Sequence, residues 1–261
     1  MITALNTAAT GMEAQQTKID VISNNLANVS TTGFKKSRAD FQDLLYQDSR
    51  IAGSQATQNT QIPTGTQIGH GVRTAGVTKI YNTGDISKTG NQLDLAIEGP
   101  GFFQIRMPDG ETAYTRAGAF KLNGEGQIVT SDGHPLASEI AVPEGTTEIS
   151  VGEDGTVTAY TGDDQQGQQI GNIELARFTN PAGLESMGSN LHQETPSSGE
   201  ALVGLPGQNG LGKLSQGYLE ESNVSVMKEM VSMISAQRAY ETNSKAVQAA
   251  DTMLQTTNRM A

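Results

Sequence analysis

Apolar residues recur every seven positions at both ends of the chain. Near the N-terminus the repeat consists of Leu5, Met12, Ile19 and Leu26, and near the C-terminus of Val226, Met233, Tyr240, Val247 and Leu254. A repeat of seven places an apolar seam along one side of a helix, and such a seam requires a partner helix. The pattern therefore predicts a helix over residues 2–28 and a second over about residues 224–258.

The second seam position of the C-terminal helix is mixed in character. Spacing by four from the repeat selects Met230, Gln237, Ser244 and Asp251. Polar groups at such positions fix the register of a helix pair or face further neighbours in an assembly. Ser222 or Asn223 is suited to cap this helix. A terminal helix that docks on its own domain is the alternative interpretation.

The region between the helices is rich in strand and turn signals. Residues 93–97, 101–105 and 173–178 are strand-like, and four turn pairs interrupt such segments: Asp109-Gly110, Asn123-Gly124, Asp132-Gly133 and Asp154-Gly155. Turn pairs of this kind connect antiparallel hairpins rather than crossover helices. Residues 181–217 are rich in glycine and are expected to be loop-rich. We predict an α+β fold whose terminal helices pair as a coiled-coil-like assembly domain beside a central antiparallel β-rich domain.

Residues 46–75 differ in character from both neighbouring regions. The segment is polar and aperiodic, and residues 62–65 read as a turn. It fits a disordered linker, or equally an extended arm that orders against other subunits. The predicted divisions of the chain are an N-terminal assembly helix (1–45), this polar arm or linker (46–75), a β-rich middle domain (76–215) and a C-terminal assembly helix (216–261).

Charge and composition exclude several classes of function. The net charge is -11 over 261 residues, and the acidity lies in the middle of the chain while both ends are nearly neutral. An acidic body argues against nucleic acid as a partner, and neutral ends suit segments that pack against copies of themselves. The residues from Met1 to Leu5 lack the basic start of a signal peptide. We expect a protein that is cytoplasmic or is exported without a cleaved signal.

No candidate chemistry emerges from the side chains. The chain has no cysteine, and His70, His134 and His192 lie in separate loops without a second ligand at a recurring spacing. Residues 65–71 resemble a phosphate-binding loop but lack its lysine. We expect no metal, no cofactor and no catalytic residue, and therefore no enzyme.

Several long motifs resemble the bacterial flagellar rod and hook axial protein family. They are residues 23–35 (SNNLANVSTTGFK), 93–103 (LDLAIEGPGFF), 114–120 (YTRAGAF), 183–191 (GLESMGSNL), 216–224 (QGYLEESNV) and 237–245 (QRAYETNSK). The resemblance covers essentially the whole chain. Its length and its polar segment 46–67 are most similar to the members that build the distal rod.

The resemblance implies a structural subunit that polymerises into a straight, rigid tube, which transmits motor torque to the hook. It implies export by the flagellar type III apparatus with an uncleaved signal, polymerisation in the periplasm, and contacts with proximal rod and hook subunits, rod cap, export apparatus and the peptidoglycan and outer-membrane rings. Self-assembly is assigned to Leu5, Met12, Ile19, Ile22, Asn24, Asn25, Leu26, Asn28, Val226, Met230, Met233, Ile234, Gln237, Arg238, Tyr240, Val247 and Leu254. Rod stiffening is assigned to the arm residues Tyr46, Gln47, Ile51, Ile62 and Pro63.

Three alternatives remain open at this level. A proximal rod or hook subunit shares the terminal motifs. A secreted β-rich module that binds a glycan or peptide would suit the acidic, hairpin-rich body. A hydrolase of cell-wall material lacks an assignable acid–base pair.

Overall fold

The computed structural model describes residues 2–50, 55–57, 60–61, 64–162 and 167–260. Helix α1 spans Ile2–Ala27 and helix α2 spans Val226–Met260. The strands are β1 Ser37–Asp43, β2 Tyr46–Arg50, β3 Gln55–Thr57, β4 Thr60–Gln61, β5 Thr66–Gly69, β6 Val72–Lys79, β7 Ile86–Lys88, β8 Leu95–Glu98, β9 Phe102–Arg106, β10 Thr112–Thr115, β11 Lys121–Leu122, β12 Ile128–Val129, β13 Thr146–Val151, β14 Thr156–Thr161, β15 Gln168–Asn172, β16 Leu175–Arg177, β17 Glu185–Gly188, β18 Leu191–Gln193, β19 Leu202–Gly204, β20 Lys213–Gln216 and β21 Tyr218–Glu220.

Both predicted terminal helices are confirmed to within two residues at each end. α1 stops at Ala27, and the turn that follows leads to Gly33, whose φ is +69°. The predicted cap of α2, Ser222 or Asn223, is wrong, because the helix begins only at Val226. The Asn223 amide group instead donates to the carbonyls of Ile80 and Asn82. Within the described ranges, neither helix combines the length and the apolarity that a bilayer crossing requires.

The chain forms two compact units. The first comprises Met1–Ala27, Ser37–Thr78 and Ser225–Ala261, and the second comprises Asn28–Lys36 and Lys79–Val224. The α+β class is therefore confirmed, since the helices lie in the first unit and most strands in the second.

The first unit is built on the helix pair and a two-stranded ribbon. α1 and α2 pack against each other, and β1 pairs with β6 beside α1. The predicted arm contains paired strands, because β2 pairs with β5 and β3 with β4, all antiparallel. Of the arm residues assigned from the sequence, Ile51, Ile62 and Pro63 lie outside the described residues.

The second unit is an antiparallel β structure with an apolar core. Its largest sheet has the strand order β17-β18-β10-β9-β16-β19, and β13, β14 and β15 form a separate sheet. The core is centred on fully buried side chains that include Phe103, Ile105, Val157, Ile173 and Leu175. These residues come from four different strands or their ends, so the core forms only when the hairpins assemble.

The turn predictions hold, and residues 181–217 are loop-rich as expected, but their short strands were not predicted. Asp109-Gly110 lies between β9 and β10, Asn123-Gly124 between β11 and β12, and Asp154-Gly155 between β13 and β14. In contrast, residues 181–217 contain four short strands, β17 to β20, as well as loops. Glycines interrupt these strands at close intervals, which hides their alternation in the sequence.

Candidate assembly surface

The contact between α1 and α2 runs antiparallel. Asn25 of α1 contacts the Glu229 carboxylate of α2, with 3.5 Å between Nδ2 and Oε2. Fourteen residues earlier in α1, Gly11 lies against Asn243, which is fourteen residues later in α2. The two contacts are therefore two heptads apart on both helices, so the seven-residue period is kept in step along the pair.

Small side chains bring the two helices close together. A Cβ atom added to Gly11 would lie 2.8 Å from the Asn243 amide nitrogen. Ala14 of α1 and Ala236 of α2 are buried, the latter with 1% of its surface exposed. The buried and half-buried positions that follow the seam of α2 are Met233, Ala236, Asn243, Val247, Ala250 and Leu254.

This row of buried and half-buried residues differs from the second seam position predicted from the sequence. The residues three positions after the repeat, Ala236, Asn243 and Ala250, are buried or half-buried, whereas of those four positions after it only Ser244 is half-buried. Gln237 and Asp251 are consequently exposed. The small residues occupy the helix contact because they let the two backbones approach, whereas Gln237 and Asp251 keep their polar groups in water.

The residues assigned to self-assembly fall into three groups. Ile22 and Asn25 are buried in the first unit. Leu5, Met12, Ile19, Leu26, Met233, Val247 and Leu254 are half-buried, as is Asn28 in the second unit. Asn24, Val226, Met230, Ile234, Gln237, Arg238 and Tyr240 are exposed, as are Tyr46 and Gln47 of the arm.

The outer face of α2 carries a cluster of exposed apolar side chains at its N-terminal end. Met227 exposes 79% of its surface and Val231 exposes 64%. These two residues are four apart and lie on one face of the helix. We call this group the helix patch, and it consists of Val226, Met227, Met230, Val231 and Ile234.

Asn25 ties the end of α1 to the beginning of the β ribbon. Its side-chain amide donates to the Ser37 carbonyl at 2.9 Å, and its side-chain oxygen accepts from the Ser37 amide at 2.8 Å. At the other end of the ribbon, the Val72 amide donates to the Thr10 hydroxyl at 3.4 Å. The ribbon thus runs along α1 from Asn25 back to Thr10.

A second group of exposed apolar side chains lies where the arm begins, next to the β1–β6 ribbon. Leu45 exposes 86% of its surface, Tyr46 exposes 55% and Ile68 exposes 51%. Tyr46 is paired with Gly69 and Ile68 with Gln47, so Tyr46 and Ile68 lie on opposite faces of the β2–β5 pair. The Asp43 carboxylate accepts a hydrogen bond from the Tyr46 hydroxyl, and this raises the pKa of Tyr46.

A buried charge cluster in the second unit joins three of the motifs. The Glu220 carboxylate accepts from Nε and Nη2 of Arg116, at 2.9 and 2.8 Å, through one oxygen. Its other oxygen accepts from the Lys35 ammonium and from the Gly84 amide. All three charged side chains are almost fully buried. One carboxylate therefore holds two cations, and the Arg116 guanidinium also donates to the carbonyls of Gly99 and Gly101.

Burial opposes the charge on both cations of this cluster. It lowers the pKa of Lys35 and of Arg116, and the nearby Glu220 carboxylate acts against that effect in each case. The sequence analysis missed this cluster, since its members are separated by 81 and 104 positions. The available signal was that Lys35 and Arg116 are the only charged residues of motifs 23–35 and 114–120, while Glu220 is one of two in motif 216–224.

His192 lies in an aromatic environment in the second unit. Its ring contacts those of Tyr81 and Phe102 edge-on, with centroids 5.8 and 6.2 Å away. Burial lowers the pKa of His192 to about 4, and the positive charge of Lys79 adds to the effect. The imidazole is therefore neutral at pH 7. Across the parts of the chain that the structure describes, no three His, Asp or Glu side chains are grouped to hold a metal ion.

Comparison with known proteins places these features in one family. Residues 5–35 match the flagella basal body rod protein family, residues 96–159 match the flagellar hook protein FlgE/F/G D1 domain, and residues 215–260 match the flagellar basal body rod FlgEFG protein C-terminal family. The matched segments contain α2, all but the first three residues of α1, and the charged residues Lys35, Arg116 and Glu220.

Relatives of similar length match over nearly the whole chain. The flagellar basal-body rod protein FlgG of Buchnera aphidicola subsp. Schizaphis graminum is 50% identical over 98% of both chains. The protein of the same name from Borreliella burgdorferi is 49% identical over 100% of this chain and 99% of its own, and that of Bacillus subtilis is 43% identical over 98% and 97%. The chain therefore belongs to the family of flagellar basal-body rod proteins FlgG, whose members are structural proteins of the flagellar basal body and not enzymes.

Proposed function

We propose that the chain is the subunit of the distal rod, where copies polymerise into a straight, rigid tube that transmits motor torque to the hook. The observation that carries this proposal is the pair of terminal helices, which joins both chain ends in one unit and leaves apolar side chains of α2 exposed. Full-length similarity to rod proteins supports the rod rather than the hook.

The helix pair is the assembly element in this proposal. The register of two heptads between its contacts supports coiled-coil-like packing. Burying an apolar side chain is worth about 1.5–3 kcal/mol, so repeated contacts with neighbouring copies stabilise a polymer strongly. Contacts between unlike surfaces generate a helical filament when the rotation between copies does not close a ring.

The assembly divisions and partners belong to the same proposal. Residues 1–45 and 216–261 serve assembly, residues 46–75 form the stiffening arm, and residues 76–215 form the middle domain. The polymer lies in the periplasm after export without a cleaved signal. It contacts proximal rod and hook subunits, the rod cap, the export apparatus and the peptidoglycan and outer-membrane rings.

Substitution within the seam of α2 tests this proposal. Val247 is half-buried on the seam, while its neighbour Ala246 is exposed. We expect Val247→Glu to abolish polymerisation of the purified full-length chain, because a buried charge without a partner costs several kcal/mol. The matched variant Ala246→Glu adds the same charge to the same helix and is expected to polymerise normally.

Electron microscopy would score the polymers, and limited proteolysis would verify that the second unit stays folded in both variants. Straight polymers of Val247→Glu at wild-type yield would contradict the role of the seam. Failure of the unmodified chain to polymerise under any condition would contradict the proposed function itself.

A further inference from the structure

The arm joins the β1–β6 ribbon where two connections of the chain lie side by side. The Leu44 amide donates to the Gly71 carbonyl at 2.9 Å, and the His70 amide donates to the Leu45 carbonyl at 3.2 Å. These bonds tie the connection between β1 and β2 to the connection between β5 and β6. We call residues 44–45 and 70–71 the arm base. Because its two connections are bonded to each other, a change in the direction of the arm base turns β2 and β5 together.

Gly71 brings the arm base into close contact with α1. A Cβ atom added to Gly71 would overlap the Thr10 hydroxyl oxygen and would lie 3.4 Å from the Cα atom of Thr7. The φ angle of Gly71 is +117°, a conformation that residues with a side chain rarely adopt. The absence of a side chain at this position therefore lets the arm base lie directly against the helix.

The Thr10 hydroxyl bonds to the ribbon beside this glycine. It donates to the Thr7 carbonyl at 3.0 Å within α1 and accepts from the Val72 amide at 3.4 Å. The bond within the helix fixes the orientation of the hydroxyl, so that a lone pair of its oxygen is directed toward the ribbon. One oriented hydroxyl and one glycine thus form the contact between the arm base and α1.

The strands of the arm next to the arm base have little support from packing. β2 and β5 pair with each other. The exposed residues of these two strands are Tyr46, Gln47, Asp48, Arg50, Thr66, Gln67 and Ile68. A strand pair with few buried residues is not held in one direction by packing. Over the part of the arm whose burial the structure describes, the direction of β2 and β5 is therefore set at the arm base.

We propose that Gly71 and Thr10 hold the arm in one direction relative to α1, and that this contact controls the straightness of the polymer. The inference rests on the proposed stiffening role of the arm and names the residues that make the arm effective. An arm on a loose base follows a change of angle between neighbouring copies, whereas an arm on a fixed base resists that change. Gly71 and Thr10 are therefore positioning residues for the arm.

Pulsed electron paramagnetic resonance on the unpolymerised full-length chain measures the direction of the arm. The chain has no cysteine, so Gln16→Cys on α1 and Gln47→Cys on β2, both at exposed positions, carry the two spin labels. Gly71→Ala is the main variant, because the new methyl group strains the backbone and forces the arm base away from Thr10. Gly76→Ala is the matched control, since it adds the same methyl group to β6 and meets no atom within 4 Å.

A second pair of variants changes only the hydroxyl. Thr10→Val keeps the shape of the side chain but removes the acceptor of the Val72 amide, whereas Thr10→Ser keeps the hydroxyl. Thr10→Val leaves the backbone of the arm base unstrained, so it tests the contact even where Gly71→Ala does not fold.

We expect one narrow distance peak for the unmodified chain, for Gly76→Ala and for Thr10→Ser. The ratio of undocked to docked chains should rise about tenfold to a hundredfold in Gly71→Ala, from the strain of an alanine at a positive φ. It should rise about threefold to tenfold in Thr10→Val, from the loss of one hydrogen bond. An unchanged distance distribution in Gly71→Ala and Thr10→Val would overturn the docking of the arm base.

Electron micrographs of polymers from the same variants without labels test the control of straightness. We expect curved polymers from Gly71→Ala and Thr10→Val, and straight polymers from Gly76→Ala and Thr10→Ser. Straight polymers from a variant whose distance peak has broadened would overturn the inference while leaving the proposed polymerisation intact. Failure of the unmodified chain to polymerise would instead contradict the proposed function, and the distance measurement would still decide whether the arm base is docked.

Discussion

The buried carboxylate of Glu220 is the most sensitive point that the structure identifies in the second unit. It accepts hydrogen bonds from Lys35, Gly84 and Arg116. Glu220→Gln preserves the size of the side chain but removes its charge and replaces one acceptor oxygen by a donor. Two buried cations then remain with no counter-charge among these partners.

The expected cost follows from the burial of the cluster. Removing one partner of a buried ion pair typically costs 3–5 kcal/mol, because an uncompensated charge is left in a medium of low dielectric constant. Glu220 and Lys35 each expose 1% of their side chains and Arg116 exposes 4%. We therefore expect Glu220→Gln to lower the free energy of unfolding of the second unit by about 3 kcal/mol or more.

Rising pH should partly relieve this cost. Burial already lowers the pKa of Lys35, and the carboxylate opposes that effect. Without the carboxylate the pKa falls further, so the folded variant releases a proton that the unfolded chain still binds. Stability rises with pH wherever the unfolded state binds more protons. The loss in Glu220→Gln should accordingly shrink as the pH increases toward 10.

Hydrogen–deuterium exchange measured by mass spectrometry is the assay, with the slowest amides of β8 and β9 reporting opening of the second unit. A loss of about 3 kcal/mol accelerates their exchange by about a hundredfold. Glu153→Gln is the control, because its partner Lys213 and Glu153 itself are 62% and 73% exposed, and exposed pairs contribute at most about 1 kcal/mol. Exchange of Glu220→Gln within threefold of the unmodified chain would refute the reasoning.

Three further predictions concern a histidine, a turn and the arm. Lowering the pH from 7.5 to 5 should reduce the free energy of unfolding of the second unit by about 2 kcal/mol through His192. The reason is that the pKa of this imidazole is about 4 in the folded chain but near 6.5 in the unfolded chain. Urea titrations at both pH values should show this loss in the unmodified chain and not in His192→Gln. Gly33→Ala should lower the free energy of unfolding by about 2 kcal/mol, because φ of Gly33 is +69° and the new Cβ would lie 2.6 Å from backbone atoms. In the control Gly76→Ala the new Cβ meets no atom within 4 Å, so thermal melts should show no change. Deleting residues 47–66 should preserve polymerisation but bend the polymers in electron micrographs, and straight polymers of full length would contradict the stiffening role.

Local sequence patterns were sufficient to predict both helices and the main hairpins, but not the short strands β17 to β20. The seven-residue repeat predicted α1 and α2, and Asp-Gly pairs predicted the hairpins around Gly110 and Gly155. These signals work because helix periodicity and turn geometry depend on residues only a few positions apart. The motifs that resemble rod proteins likewise carried the family assignment. The predicted domain boundaries and assembly residues remain predictions.

Tertiary structure decided which of the patterned residues actually meet. A repeat of seven is compatible with a second seam position three or four residues later, and only the antiparallel approach of α1, which places Gly11 against Asn243, selects the position three residues later. The pairing of Lys35 and Arg116 with Glu220 was equally hidden, because it joins residues separated by as many as 185 positions. Periodicity along a chain specifies a face for each element, but the partner of that face is set by packing between segments that the sequence keeps far apart.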